Sequence, residues 1–158
     1  MGRAIVVDDD PSIRSLVRLT LEMEGYAVDD ACDGQAALDL IRTTEPDLVI
    51  LDIMMPAMDG ATVARAIRSD PAYDHVAIVF LSALVTDDHV WDGWRTGADS
   101  YVTKPFDIEH LMREVDRVRK ARAALGLGDA GSRLVIDEAQ HATSAPDELR
   151  VKGPRSGG

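Results

Sequence analysis

The chain has 158 residues, 46% of them hydrophobic, which suits one globular domain with a tail and excludes a chain too polar to fold. No apolar run approaches the ~20 residues needed to cross a bilayer, residues 1–10 ("MGRAIVVDDD") lack the layout of a secretory signal, and the single cysteine, Cys32, excludes an internal disulfide or a thiolate metal cluster, so a cytoplasmic location is expected. The net charge is −11, and its acidic excess lies within residues 1–120, which argues against non-specific nucleic-acid binding there and suits cations or basic partner surfaces.

"AIVVD" (4–8) reads as a short buried strand. "SIRSLVRLTLEMEG" (12–25) reads as a helix with Ile13, Leu16, Val17 and Thr20 on one face, Ser12 as N-cap and Gly25 as stop. "YAVDDAC" (26–32) alternates, as an edge strand would, and "DGQAALDLIRTT" (33–44) is a second helix. "DLVILD" (47–52) is apolar almost throughout and predicts a central strand covered on both faces. A third helix (59–70), another central strand (76–82) and a short helix weakened by Gly93 (87–97) follow. "SYVTK" (100–104) is a fifth strand. The last helix (107–125) places Ile108, Leu111, Met112, Val115 and Val118 on one stripe.

Five alternating β–α units predict an α/β fold, a parallel sheet with helices on both faces and right-handed crossovers. The ligand site of such a sheet lies at the carboxyl ends of its strands. Residues 1–125 form this domain. Residues 126–158, rich in Gly and Pro, read as a mostly flexible tail in which "RLVID" and "ELRVK" could pair as a small hairpin.

On that scaffold Asp8 and Asp9 end the first strand, Asp52 the third, Ser82 the fourth and Lys104 the fifth, all at one edge of the sheet. Three carboxylates at ~5 Å and an effective dielectric of ~20 repel by about 3 kcal/mol per pair. A small domain has only roughly 5–15 kcal/mol of stability in all, so protons or a cation must offset the repulsion. Lys104 offers one positive charge, and oxygen-only ligands suit a hard divalent ion, Mg²⁺ above all. A carboxylate, a metal, a lysine and a hydroxyl together make a phosphoryl-transfer set. The metal and Lys104 would neutralise the moving oxygens and Ser82 would donate a hydrogen bond to one. Asp52, ending the most central strand, is the candidate nucleophile and would form an acyl phosphate; Asp8 and Asp9 would hold the metal. Any one of these acids alone reads more simply as a turn former or helix N-cap, and Asp10 before Pro11 is read that way. Their shared placement is what favours the site. His75, His89, His110 and His141 form no motif and read as surface residues, and Cys32 as buried or half-buried. There is no glycine-rich phosphate loop.

The stretches "IVVDDDPSIR", "DLVILDIMMPAMDG", "FLSA" and "GADSYVTKPF", in this order and spacing, resemble the receiver domain of two-component response regulators over about residues 3–122. The resemblance implies a doubly wound, flavodoxin-like sheet of strand order 2-1-3-4-5. It implies that Asp52 accepts a phosphoryl group from the phosphohistidine of a sensor histidine kinase or a histidine phosphotransfer protein. By position, Asp8, Asp9, Asp52 and the backbone carbonyl of Met54 look like the Mg²⁺ ligands. Lys104 and Ser82 look like the phosphoryl-stabilising pair, Ser82 and Tyr101 like the switch pair, and Lys104–Pro105 like a peptide bond that is usually cis in the family. Output to a downstream protein is expected from the fourth helix, fifth strand and last helix, with Trp91 buried and Val90 and Trp94 as surface candidates. The same face leaves room for a phosphorylation-dependent homodimer.

Three rival readings carry less. A phosphatase of the haloacid dehalogenase type wants a second Asp two residues after its nucleophile, where this chain has Met54. A receiver-like binding module would keep the fold and never use phosphate. A receiver cut from a DNA-binding regulator is the third; residues 126–158 are too short for such a domain, though "RLVIDEAQHATSAPDELRVK" faintly resembles the opening strands of a winged-helix effector. The expected form is a single-domain regulator that acts by protein contact, binds neither DNA nor membrane, and turns over no separate substrate.

Overall fold

The structure, a computed structural model, describes residues 2–83 and 97–126. Five strands, β1 (Arg3–Val7), β2 (Ala27–Ala31), β3 (Leu48–Asp52), β4 (Ala77–Ser82) and β5 (Ser100–Thr103), form one parallel sheet of order β2-β1-β3-β4-β5. This is the doubly wound, flavodoxin-like arrangement expected from the sequence. β3 and β4 are buried at every residue, as their unbroken apolar runs require. β2, which alternates, is an edge strand.

Four helices are described: α1 (Pro11–Met23), α2 (Gly34–Thr44), α3 (Gly60–Arg68) and α4 (Ile108–Ala124). Each is capped at its N-terminus by an aspartate whose side chain accepts a backbone N–H of the first turn: Asp10, Asp33, Asp59 and Asp107. Part of the acidic excess is therefore structural. A 3₁₀ turn at Pro71–Tyr73, which the sequence reading does not contain, leads into β4.

Because side chains alternate along a strand, the sheet splits its apolar residues between two faces. α1 and α4 cover one, with Val17, Leu21, Leu111, Val115 and Val118 packed on Val6, Ile50 and Val79. α2 and α3 cover the other, with Ala37, Ile41, Val63 and Ile67 packed on Ile5, Leu51 and Phe80. The expected stripe of the last helix is observed, Ile108 and Met112 lying at its half-buried margin.

Several expectations need correction. Asp10, not Ser12, caps α1, because Pro11 has no N–H to leave unpaired and its φ suits the first helical position. The buried stripe of α1 runs through Ile13, Val17 and Leu21, so Leu16 falls outside it and is 49% exposed. Gly25 does end the helix, with φ 98. His75 is buried because it leads into a central strand that is covered from its first residue. Cys32 is exposed because it lies just past the end of an edge strand. The helix expected over 87–97, with Val90, Trp91 and Trp94, lies outside the described residues, as do His89, His141 and the tail from residue 127.

Ala57, in the loop between β3 and α3, holds φ 68 without being glycine and is exposed. The left-handed region costs an L-residue roughly 1–2 kcal/mol, partly offset here by the lower chain entropy of alanine. Ala57→Gly is therefore expected to raise stability by up to about 1 kcal/mol in urea unfolding.

Candidate functional site

Parallel pairing sets the heights at which the strands end. Val7 pairs with Leu51, Asp52 with Leu81, and Ser82 with Thr103. The residues just past these pairs therefore emerge together at the carboxyl edge. The ladder continues briefly beyond the strands: the N–H of Asp8 donates to Ala31 (3.2 Å), that of Ile53 to Leu81 (3.1 Å), and that of Lys104 to Ser82 (2.8 Å).

These ties hold an acidic pocket. Carboxylate oxygens of Asp8, Asp9 and Asp52 lie within 4.8 Å of one another. Asp8 and Asp52 are buried; Asp9 is exposed and opens the pocket to solvent. Lys104 Nζ lies 2.9 Å from Asp8 Oδ2 and 3.4 Å from Asp52 Oδ2. The remaining oxygens are met by backbone: Asp8 Oδ1 accepts from the N–H of Asp10 at 2.9 Å, and Asp52 Oδ1 from that of Met54 at 3.1 Å. Ser82 is fully buried at the adjoining strand end, and the Lys104–Pro105 bond is cis. Tyr101 is half-buried against the core under α2 and α3. Of the residues expected to form the site, the switch and the output face, Val90, Trp91 and Trp94 fall outside the described part.

The electrostatics leave the pocket short of positive charge. Burial, then the charge of Asp8, push Asp52 up to about 6, against the opposing pull of Lys104 and the Met54 N–H. Burial alone would lower Lys104, but its hydrogen bonds and charge contacts with Asp8 and Asp52 outweigh this and leave it raised. Asp8 Oδ2 is met by the Lys104 ammonium at 2.9 Å and is otherwise open to a further cation. A buried carboxylate oxygen with spare capacity, beside two more carboxylates and, among the described residues, no sulfur or imidazole ligand, is a donor set for a hard divalent cation.

Two contributors escaped the sequence reading. Gly60 opens α3 against the strand end: its N–H donates to Ile53 at 2.9 Å, and a Cβ there would stand 2.4 Å from the carbonyl oxygen of Asp52. The available signal was glycine, a poor helix former, at the first position of a helix. Arg14, in α1, donates from a guanidinium nitrogen to the carbonyl oxygen of Asp8 at 2.8 Å.

A five-stranded doubly wound sheet that gathers three carboxylates and a lysine at its carboxyl edge defines a protein of the receiver class. Comparison with known proteins agrees: the response regulator receiver domain family model matches residues 4–116, and the chain belongs to that family. The DNA-binding dual master transcriptional regulator RpaA of Synechocystis is 40% identical over 145 residues, covering 87% of this chain and 60% of that protein. Response regulator MprA of Mycobacterium sp. (strain KMS) is 44% identical over 110 residues, covering 70% of this chain and 47% of that protein. The chain thus spans about half to three-fifths of the length of the curated relatives it matches. Among solved structures, chemotaxis response regulator CheY4 of Vibrio cholerae superposes with a TM-score of 0.71 at 34% identity, covering 75% of this chain and 98% of that one. The Francisella response regulator 1452 receiver domain gives 0.70 at 32%, covering 77% and 98%.

Asp52 has a raised pKa in the folded state, so its contribution to stability is fully present below the unfolded value near 4 and is lost as pH rises through about 6. The loss amounts to about 3 kcal/mol in the metal-free protein, opposite in sign to an ordinary carboxylate. Metal-free Asp52→Asn should lack this loss and at pH 7 be at least as stable as wild type in urea unfolding; a clear drop would refute the crowding. Gly60→Ala should cost roughly 1–3 kcal/mol by the same measurement, since strand end or helix must shift.

Proposed function

We propose that this receiver accepts a phosphoryl group onto Asp52 from the phosphohistidine of a sensor histidine kinase or histidine phosphotransfer protein, in a Mg²⁺-dependent reaction, and signals through a conformational switch. The observation that carries the reading is the buried Asp52 carboxylate, 3.4 Å from Lys104 and within 4.8 Å of the Asp8 and Asp9 carboxylates. Asp8, Asp9, Asp52 and the Met54 carbonyl would hold Mg²⁺, which when bound supplies positive charge to the phosphoryl oxygens.

The chain's own residues do the rest. An oxygen of ionised Asp52 attacks phosphorus as the phosphorus–nitrogen bond to the donor histidine breaks; the imidazole keeps that electron pair and is neutral once protonated. Lys104 meets the negative charge of the arriving oxygens, and the Ser82 hydroxyl donates a hydrogen bond to one of them. Movement of Ser82 toward the phosphoryl group frees space into which Tyr101 turns. The product stays on the protein, so this is self-modification rather than turnover of a separate substrate. Cytoplasmic action fits a kinase partner, and among the described residues no helix is long and apolar enough to cross a membrane. A downstream protein is the proposed target, met as a monomer or as a phosphorylated homodimer.

A second reading concerns output. RpaA is described as DNA-binding, and this chain covers 60% of it. A receiver that works within a longer DNA-binding regulator is the alternative which that relationship favours.

Incubation with acetyl phosphate and Mg²⁺ should add the mass of one phosphoryl group to the intact protein. The adduct should be absent from Asp52→Asn and from wild type treated with a chelator. An unchanged wild-type mass would leave the chain a phosphate-independent binding module.

A further inference from the structure

The loop carrying Asp8 and Asp9 is held from outside the pocket by a side chain with no part in the chemistry above. Arg14 lies one turn into α1, its backbone N–H bonded to the Asp10 carbonyl at 3.0 Å. One guanidinium nitrogen donates to the Asp8 carbonyl oxygen at 2.8 Å, while Nε lies 3.4 Å from Oδ2 of Asp30. Asp30 sits on β2 in register with Val6 of β1 and also pairs with Arg18 at 3.2 Å. The side chains of Arg14 and Asp30 are only 22% and 32% exposed. A planar fork thus spans α1, the β1–α1 turn and β2, which a single ammonium could not do.

The contact bears on the pocket through peptide geometry. The Asp8 carbonyl oxygen and the Asp9 nitrogen belong to one rigid plane. Fixing that oxygen fixes the rotation of the plane, and with it the position of the Asp9 Cα from which the carboxylate extends. Asp8 itself is also tied through its N–H to Ala31 and through Oδ1 to the Asp10 N–H. Asp9 is exposed, so side-chain packing does little to hold its carboxylate.

We propose that Arg14, held by Asp30, is a positioning residue that orients the Asp8–Asp9 carboxylates for divalent-cation binding. The proposal rests on the reading of the acidic pocket as a Mg²⁺ site. Its electrostatic opposite is clear: as a bare positive charge near the pocket, Arg14 would repel a dication, and its removal would tighten binding. Positioning and repulsion predict opposite signs.

Isothermal titration of Mg²⁺ into the unphosphorylated full chain separates them. Loss of an outer partner of a metal ligand weakens affinity by roughly 10–100-fold. Arg14→Gln is expected to weaken Mg²⁺ binding about tenfold. Arg14→Met, which removes both the charge and the fork, is expected to weaken it to a similar degree and carries the test should Arg14→Gln not fold. Arg14→Lys should recover little, because charge without the fork does not restrain the peptide plane. Wild-type affinity in Arg14→Gln, tighter binding there, or full recovery by lysine would overturn the positioning role and leave the metal site standing. No Mg²⁺ binding by wild type would overturn the metal site itself and the proposal with it.

Discussion

Crowding of three carboxylates around a lysine that pairs with two of them is the constraint on which the structure turns. In water such groups would move apart. Here the pairing register of a sheet with a fully buried centre places them, and the burial of two apolar layers supplies the free energy that keeps them there. A pocket of this kind is coupled to global stability. Whatever relieves the repulsion, whether a proton, a cation or a rearranged lysine, binds the folded state more tightly than the unfolded one and so stabilises it.

The other edge of the sheet shows what a satisfied carboxylate looks like. Asp99, just before β5, accepts from Arg68 at 3.0 Å, from Arg122 at 2.6 Å and from the backbone N–H of Ile78 at 2.8 Å. Arg68 reaches on to the Gly97 carbonyl, and Arg122 to that of Asp74. Two guanidinium groups and a backbone donor meet one carboxylate there, and the result ties α3, α4, β4 and β5 together. At the carboxyl edge one ammonium lies between two buried acids with a third beside them. The same fold thus carries one ionic cluster whose carboxylate is fully met, suited to holding elements in place, and one cluster short of positive charge, suited to taking something up. Reactivity belongs to the second because its groups still have capacity to bind.

Much of this was legible in the sequence, for reasons that differ by element. β3 and β4 could be read because strands buried on both faces allow almost no polar residue until they end. Asp52 and Ser82 stand out because each ends such a run and Asp8 because it follows one in β1, whereas Lys104 follows the more polar edge strand β5 and is marked by the Pro105 after it. What could not be read depends on neighbours distant in the chain. The burial of His75 and the exposure of Cys32 follow from which strands are central, not from their flanking residues. Leu16 turns out and Leu21, not among the expected face residues, turns in because the inward direction of α1 is set by the sheet and α4 beneath it. Gly60 and Arg14 act through the backbone of Asp52 and Asp8, and no spacing rule marks a glycine that must admit a carbonyl or an arginine that must grip one.

On the proposed reading, the raised pKa of Asp52 and the phosphoryl chemistry belong to one device. Asp52 attacks only when ionised, yet burial and the Asp8 charge favour its protonated form. Positive charge brought to the pocket lowers the repulsion and favours the ionised nucleophile together, so the folded domain is reactive in the state in which its crowding is relieved. Phosphorylation then replaces a single negative charge with roughly two, and Lys104, already between Asp8 and Asp52, is drawn more strongly toward Asp52. Its backbone N–H is bonded to the carbonyl of Ser82 at 2.8 Å, so β4 and β5 share the displacement at their ends. Tyr101 lies three residues upstream on β5, half-buried against the α2–α3 layer. A charge change at the end of β3 thereby has a short, covalent and hydrogen-bonded route to the edge strand of the sheet, without any need to move its buried centre.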